Sequence, residues 1–192
     1  PLYIAEMKFR ARGTERTGYL VASETCAFDF TGDIRSIRSV RRGEIIVINE
    51  DGVRSFRSKS QTWKTAPRRG CCFEPPYFKG ATSRVEATGA IDDPEALEVR
   101  EALGQRAARE FRDTHPDAQA DCVICVPDSS RSQAIGGAGE LGLPLRELVI
   151  RSHGVGRTFI ELLDDIVDKV GKKFRFSVDQ ITRMHEIIIF DD

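Results

Sequence analysis

The second half of the chain alternates short apolar runs with amphipathic stretches, and that alternation leaves few folds open. Cys122–Val126, Leu145–Ile150 and Glu186–Phe190 have the length and composition of buried strands, whereas Ser130–Leu141 and Ile160–Val170 read as helices. A further helix is expected to begin at Asp93-Pro94-Glu95, with Asp as N-cap, Pro in the first turn and an acid near the positive end of the dipole. Ala96, Val99, Leu103, Ala107 and Phe111 follow at spacings of three and four, which predicts one apolar face running to about Arg112. Gly142 is placed to close the helix that starts at Ser130. Lys172–Val178 alternates, with Phe174, Phe176 and Val178 expected on one face. Strands joined by helices imply a mainly parallel sheet with helices on its faces.

The first part is different in character and reads as β. Leu2–Lys8 and Gly18–Ser23 are expected to be strands separated by a charged loop, Arg10–Thr17. Glu44–Asn49 is strongly β-branched, and Asp51-Gly52 signals a hairpin turn into Val53–Arg57. Ser58–Gly70 is polar and basic, holds Pro67 and reads as a linker. Charge divides near the same place. Residues 1–80 carry 15 Lys/Arg against 9 Asp/Glu, and residues 81–192 carry 14 against 21, which suits two units with surfaces of opposite sign. The net charge of −1 gives no footprint for nucleic acid, and no apolar run approaches the ~20 residues of a membrane span.

Five cysteines, an odd number, with no secretory signal favour reduced thiols and a cytoplasmic setting. Cys122 and Cys125 match C-x-x-C, but residues three apart on a strand face opposite sides, so the two are expected in the core rather than paired or sharing a metal. The adjacent Cys71-Cys72 is a poor redox pair, and His115 and His185 lack metal-ligand spacing.

Chemistry is expected where strands end, because open α/β sheets bind ligands at the carboxyl ends of their strands. Val126-Pro-Asp-Ser-Ser-Arg-Ser132 turns from a strand into a helix start, where free N–H groups, hydroxyls and Arg131 suit a phosphate; simple N-capping by Ser129 or Ser130 would leave the same signature. Gly136, Gly137 and Gly139 in the following helix cost up to ~1 kcal/mol each relative to Ala, which points to close packing either over a site or against the sheet. Asp191-Asp192 closes the last strand and suits Mg²⁺ or the vicinal hydroxyls of a ribose, or is a solvated turn. Arg151–Ile160, with two glycines, two arginines and His153, reads as an anion-binding lid or a flexible basic loop.

Several of these segments, in order, resemble the glutamine phosphoribosylpyrophosphate amidotransferase family. Pro1-Leu2 is similar to the end of the family's G-I-R-P-L, and Tyr19–Asp29 to Y-x-V-A-S-E-x-x-A-x-D. Arg38–Ile45 resembles R-D-V-x-P-G-E-I, and Cys71–Phe78 resembles C-x-F-E-Y-x-Y-F. Arg100 and Gly104 fit R-x-x-x-G. Val126–Ser130, Val155–Ile160 and the terminal I-I-I-F-D-D complete the series.

The resemblance implies an α/β and α+β chain. Residues 1–70 would be the last part of a β-rich glutaminase domain of the N-terminal-nucleophile type. Residues 71–192 would be part of a type I phosphoribosyltransferase domain, a parallel sheet with helices. It implies a glycosyltransferase of purine biosynthesis: a cysteine hydrolyses glutamine, and the ammonia displaces pyrophosphate from C1 of phosphoribosyl pyrophosphate to give phosphoribosylamine. The alternative is a divergent, non-catalytic relative that binds nucleotide or a partner. Position by position, the substrate residues would be Asp128, Ser129, Ser130, Arg157, Thr158, Asp191 and Asp192. Mg²⁺ would be held by Asp191, Asp192 and either Ser129 or Ser130. Cys71 falls on a position that ligates a 4Fe-4S cluster in some members. Glutamine, phosphoribosyl pyrophosphate, purine nucleotide effectors and a homo-oligomer are the implied partners, with neither nucleic acid nor membrane among them. The family's nucleophile would precede Pro1 and its 5′-phosphate loop would follow Asp192, so the 192 residues alone are expected to be inactive. Within the chain, Arg151-Ser-His-Gly154 stands where the family has K-N-R-Y, Pro75-Pro76 interrupts E-Y-x-Y-F, and Lys79–Ser83 replaces A-R-P-D-S.

Overall fold

The computed structural model describes residues 1–29, 32–57, 71–85, 93–152 and 172–191. The chain forms two compact units, Pro1–Ala96 and Leu97–Asp192. The linker expected at 58–70 and the helix expected at 160–170 lie outside the described residues.

The first unit is built on a three-stranded antiparallel sheet in the order β2-β1-β3, with β1 Tyr3–Ala11, β2 Thr14–Ala22 and β3 Asp33–Ser39. The charged stretch expected as a loop is instead the outer half of the β1–β2 hairpin. Arg10 pairs with Glu15 and Ala11 with Thr14. Arg12 and Gly13 make the turn with φ of 51° and 79°, the double positive φ that fits the right-handed twist of a hairpin. Tyr3, Ala5 and Phe28 form the buried core, with Leu20, Ala22, Ile34 and Ile37 packed against it. β3 was not expected from the sequence. Its register with β1 shifts between Glu6 and Met7, so Ser36 and Ile34 face consecutive β1 residues and Arg35 is the extra residue. That irregularity puts Ile34 and Ile37, three apart, on the same core.

β4 (Glu44–Asn49) and β5 (Gly52–Arg57) form the expected hairpin, with Asn49 opposite Gly52 and Glu50-Asp51 between them. Its base is tied down by one carboxylate. Glu44 accepts two bonds from the Arg38 guanidinium (2.9 and 3.1 Å), one from the Arg41 N–H (2.7 Å) and one from the Ser55 hydroxyl (2.6 Å). Its side chain is only 4% exposed, and the Arg38 bonds lead in holding its pKa down to about 2. The Arg38 and Glu44 of the family-like motif are therefore one ion pair.

Residues 71–85 are knitted onto the same unit. Glu24 accepts from the Gly80 N–H (2.7 Å) and the Ser83 hydroxyl (2.7 Å), Thr25 accepts from the Arg84 N–H (2.9 Å), and Asp29 accepts from the Thr82 hydroxyl (3.0 Å). Burial pushes Glu24 up, but the Gly80 and Ser83 bonds outweigh it and hold its carboxyl below the ordinary value. Arg84 then bridges Glu95, and the Ser83 carbonyl accepts the Ala96 N–H. This bridge explains why helix α1 starts at Ala96 rather than at an Asp93 cap.

In the second unit, α1 (Ala96–Thr114) is followed by β6 (Cys122–Cys125), α2 (Arg131–Leu141), β7 (Val149–Arg151), β8 (Phe174–Phe176), the single turn α3 (Val178–Ile181) and β9 (Ile187–Phe190). β6 and β9 pair in parallel, with Cys122 opposite Ile187 and Cys125 opposite Phe190. A parallel bridge from Val123 to Leu145 brings in the segment leading to β7, which pairs antiparallel with β8. The alternation of strand and helix thus yields the expected parallel centre, with an antiparallel β8. Cys122 and Ile124 face Leu148, Ile181 and Met184, while Val123 and Cys125 face Ala134 and Ala138 of α2. The two thiols therefore lie on opposite faces, and burial raises the pKa of both. Of the alternating segment, Phe174 and Phe176 lie in β8, whereas Val178 opens α3; Phe176 and Val178 are both exposed.

The glycines set the packing of this unit. A Cβ on Gly104 would lie 1.9 Å from the Gln133 carbonyl oxygen, and one on Gly136 2.0 Å from that of Glu101, so the two helix backbones meet at both points. A Cβ on Gly137 would lie 2.1 Å from the Phe190 ring of β9, whereas one on Gly139 meets nothing within 4 Å. The buried stripe of α1 is accordingly Ala96, Arg100, Gly104 and Ala108, and Leu103 and Ala107 of the expected apolar face are exposed. Close backbone approach overrides the larger side chains because only small residues admit it.

Candidate functional site at the strand ends

Parallel pairing puts the carboxyl ends of β6 and β9 side by side. The Val126 N–H donates to the Phe190 carbonyl at 3.0 Å. Beyond these ends lie Asp128, Ser129 and Ser130 on one side and Asp191 on the other, all at one edge of the sheet. The Pro127–Asp128 peptide is cis. Gly142, at a φ of 69°, ends α2 with its N–H on the Ala138 carbonyl.

The two serines separate clearly. Ser130 is fully buried, and its hydroxyl lies 2.6 Å from the Val126 carbonyl and 3.0 Å from that of Phe190. It makes no side-chain cap to α2 although it occupies the N-cap position; it ties the two strand ends together instead. Ser129 is exposed, as is Asp191. Asp128 accepts a bond from the Arg151 guanidinium at 3.0 Å, and the neighbouring Arg131 pairs with Glu147. Arg151 ends β7, so this third strand contributes to the same edge. The sequence offered Arg151 only as part of a basic loop, because its guanidinium becomes a site feature only once β7 is placed beside β6. Arg157, Thr158 and Asp192 lie outside the described residues.

The donors at this edge are carboxylate and hydroxyl oxygens, the hard ligands Mg²⁺ uses, commonly one or two carboxylates with phosphate oxygens completing the shell. Among the described residues no three His, Cys, Asp or Glu side chains gather at one point, so phosphate would have to supply much of any such shell. All five cysteines are described. Cys71 and Cys72 are exposed and Cys122 and Cys125 are core residues, so the described residues do not assemble an iron–sulfur ligand set. At the opposite end of the sheet, Asp121 accepts the N–H groups of His185 (2.6 Å) and Glu186 (3.3 Å), which hold its carboxyl below the ordinary range and fix the entry to β9. His185 thus contributes through its backbone. Among the described residues no helix is long and apolar enough to cross a membrane.

No protein-family model matches the chain. Among curated proteins it is 34% identical over 176 residues to the amidophosphoribosyltransferase of Mycobacterium bovis, which covers 91% of this chain and 30% of that protein. It is 33% identical over 174 residues to the Bacillus subtilis amidophosphoribosyltransferase, covering 91% of the chain and 33% of that protein. Among solved structures, the B. subtilis glutamine phosphoribosylpyrophosphate amidotransferase in complex with ADP and GMP superposes with a TM-score of 0.69 at 31% identity, over 100% of this chain and 37% of that one. The chain therefore spans about a third of the length of the relatives it matches, and over that stretch it belongs to the amidophosphoribosyltransferase family.

Proposed function

We propose that the complete protein transfers ammonia derived from glutamine to phosphoribosyl pyrophosphate, giving 5-phosphoribosylamine at the first step of purine biosynthesis. The observation that carries this reading is the gathering of Asp128, Ser129 and Asp191 at the carboxyl ends of two parallel strands, in a chain homologous to these enzymes. Asp191, with Asp192 after it, takes the ribose hydroxyls. The Ser129 hydroxyl faces the pyrophosphate, and Ser130 holds the loop that presents it. Arg157 and Thr158 are assigned to substrate by the family resemblance. Asp191 and Ser129 would hold Mg²⁺, which would supply charge neutralisation at the pyrophosphate oxygens. The contribution of the chain itself is to hold the sugar by its hydroxyls while the C1–pyrophosphate bond is attacked.

In the same reading, residues 1–70 derive from a glutaminase domain and 71–192 from a phosphoribosyltransferase domain, in a cytoplasmic homo-oligomer answering to purine nucleotides. A 4Fe-4S cluster at Cys71 would require further thiols. A second reading, a relative that binds nucleotide without turnover, draws on Arg151-Ser-His-Gly154 in place of the family's K-N-R-Y. Calorimetry on the complete protein should show Mg²⁺-dependent binding of phosphoribosyl pyrophosphate, about tenfold weaker in Asp191→Asn. Absence of binding, or indifference to the substitution, refutes the proposal. Binding without ammonia-dependent release of pyrophosphate supports the second reading.

A further inference from the structure

The loop after β6 and the segment that forms β7 are joined by two ion pairs of opposite sense. The loop gives its carboxylate, Asp128, to Arg151 of β7, and its cation, Arg131, to Glu147 just before β7. The first pair has an unusual balance. Asp128 is 59% exposed at the strand-end edge, but Arg151 is only 30% exposed. The Arg151 Nε is fully buried and has no hydrogen-bond partner among the described residues. A guanidinium offers five donors in a planar fork that suits phosphate oxygens two at a time. Among the described residues the fork is anchored by a single bond, to the exposed Asp128 carboxylate, and exposed pairs of this kind are weak and readily exchanged.

The geometry points to an ion-pair exchange: a polyphosphate takes the Arg151 guanidinium, and the Asp128 carboxylate it displaces becomes a ligand for the cation that accompanies the polyphosphate. This rests on the strand-end reading above and adds Arg151 to it as an anion-binding residue. In the apo chain Asp128 acts as the stand-in anion. It keeps Arg151 ordered, and it makes binding of a bare polyphosphate unfavourable unless a cation arrives to receive it.

The test is titration of inorganic pyrophosphate, with and without Mg²⁺, into the full chain and four variants. Asp128→Asn should tighten metal-free binding at least fivefold and reduce the enhancement given by Mg²⁺. Arg151→Gln should weaken binding at least tenfold, and in the double variant the gain from Asp128→Asn should vanish. Glu147→Gln removes an equal charge from the other pair and serves as the comparator; its metal-free gain should be less than twofold. An equal gain in Glu147→Gln, or a gain that survives without Arg151, overturns the exchange and leaves only general charge repulsion. Wild-type protein that binds no pyrophosphate in either condition refutes the strand-end site itself and the exchange with it.

Discussion

The two units are held by opposite means. The first is fastened by carboxylates: Glu44 gathers Arg38, Arg41 and Ser55 at the hairpin base, and Glu24 gathers Gly80 and Ser83. The second is fastened where side chains are missing, at Gly104, Gly136 and Gly137. The acids at its strand ends, Asp128 and Asp191, are exposed. A buried, multiply bonded carboxylate is committed to the fold, whereas an exposed one at a strand end is open to exchange. Where the acids sit, rather than how many there are, separates scaffold from candidate site.

The sharpest way to break this contrast is to fill a glycine. Gly136→Ala should cost about 3 kcal/mol in denaturant unfolding, because the new methyl meets backbone that has no rotamer to retreat into. Gly139→Ala is its control. With open space around it, relief of the helical glycine penalty should make it stabilising by ~0.5–1 kcal/mol, and an equal loss in both variants would mean that α2 tolerates no substitution for reasons other than contact.

Next in size is Glu44→Gln, expected to destabilise the first unit by about 2 kcal/mol through loss of charge-assisted bonds. The pH dependence follows with a definite sign. The folded pKa of about 2 lies below the ordinary 4.5, so the contribution is complete above pH 4.5 and lost as pH falls toward 2. Amide-exchange protection in β4–β5, with the intrinsic exchange rate divided out, should fall across that window in the wild type and stay level in Glu44→Gln. A fall in the variant as well would assign the effect to other acids.

Smaller again is Gln133, which is 6% exposed with its side-chain oxygen unpartnered among the described residues. Gln133→Met should be neutral or stabilising by up to ~1 kcal/mol, as expected for replacing a buried, unsatisfied amide by an apolar group of similar volume. The smallest expected effect is Asp191→Asn on stability, within ~0.5 kcal/mol, since its carboxylate is exposed. A large loss would move Asp191 from the site into the scaffold.

What the sequence disclosed follows the same division. The parallel centre, the β4–β5 hairpin and the opposed faces of Cys122 and Cys125 were legible because each rests on local periodicity or turn chemistry. β3 was not. Its bulge at Arg35 turns a period of two into a spacing of three, and Ile34 and Ile37 then carry no strand signature. The outer half of the β1–β2 hairpin was hidden because residues 14–17 are exposed on both faces, so nothing alternates. The α1 face was misjudged because the decisive contact is made by an absent side chain. At the candidate site, the strand-end places of Asp128, Ser129 and Asp191 were legible from the polar turns that follow two apolar runs. The division of labour between Ser129 and Ser130 was invisible, since it depends on the Phe190 carbonyl 60 residues away.

That bond also bears on the order of events in folding. α1 and α2 meet across about 30 residues of chain, but Ser130 reaches Phe190 only after a loop twice that long has closed and β9 has found its parallel place beside β6. Long loops and non-local parallel pairing are slow to form. The strand-end site is thus expected to assemble late in its unit, and in partial unfolding, release of β9 alone would erase it while the helix pair stands.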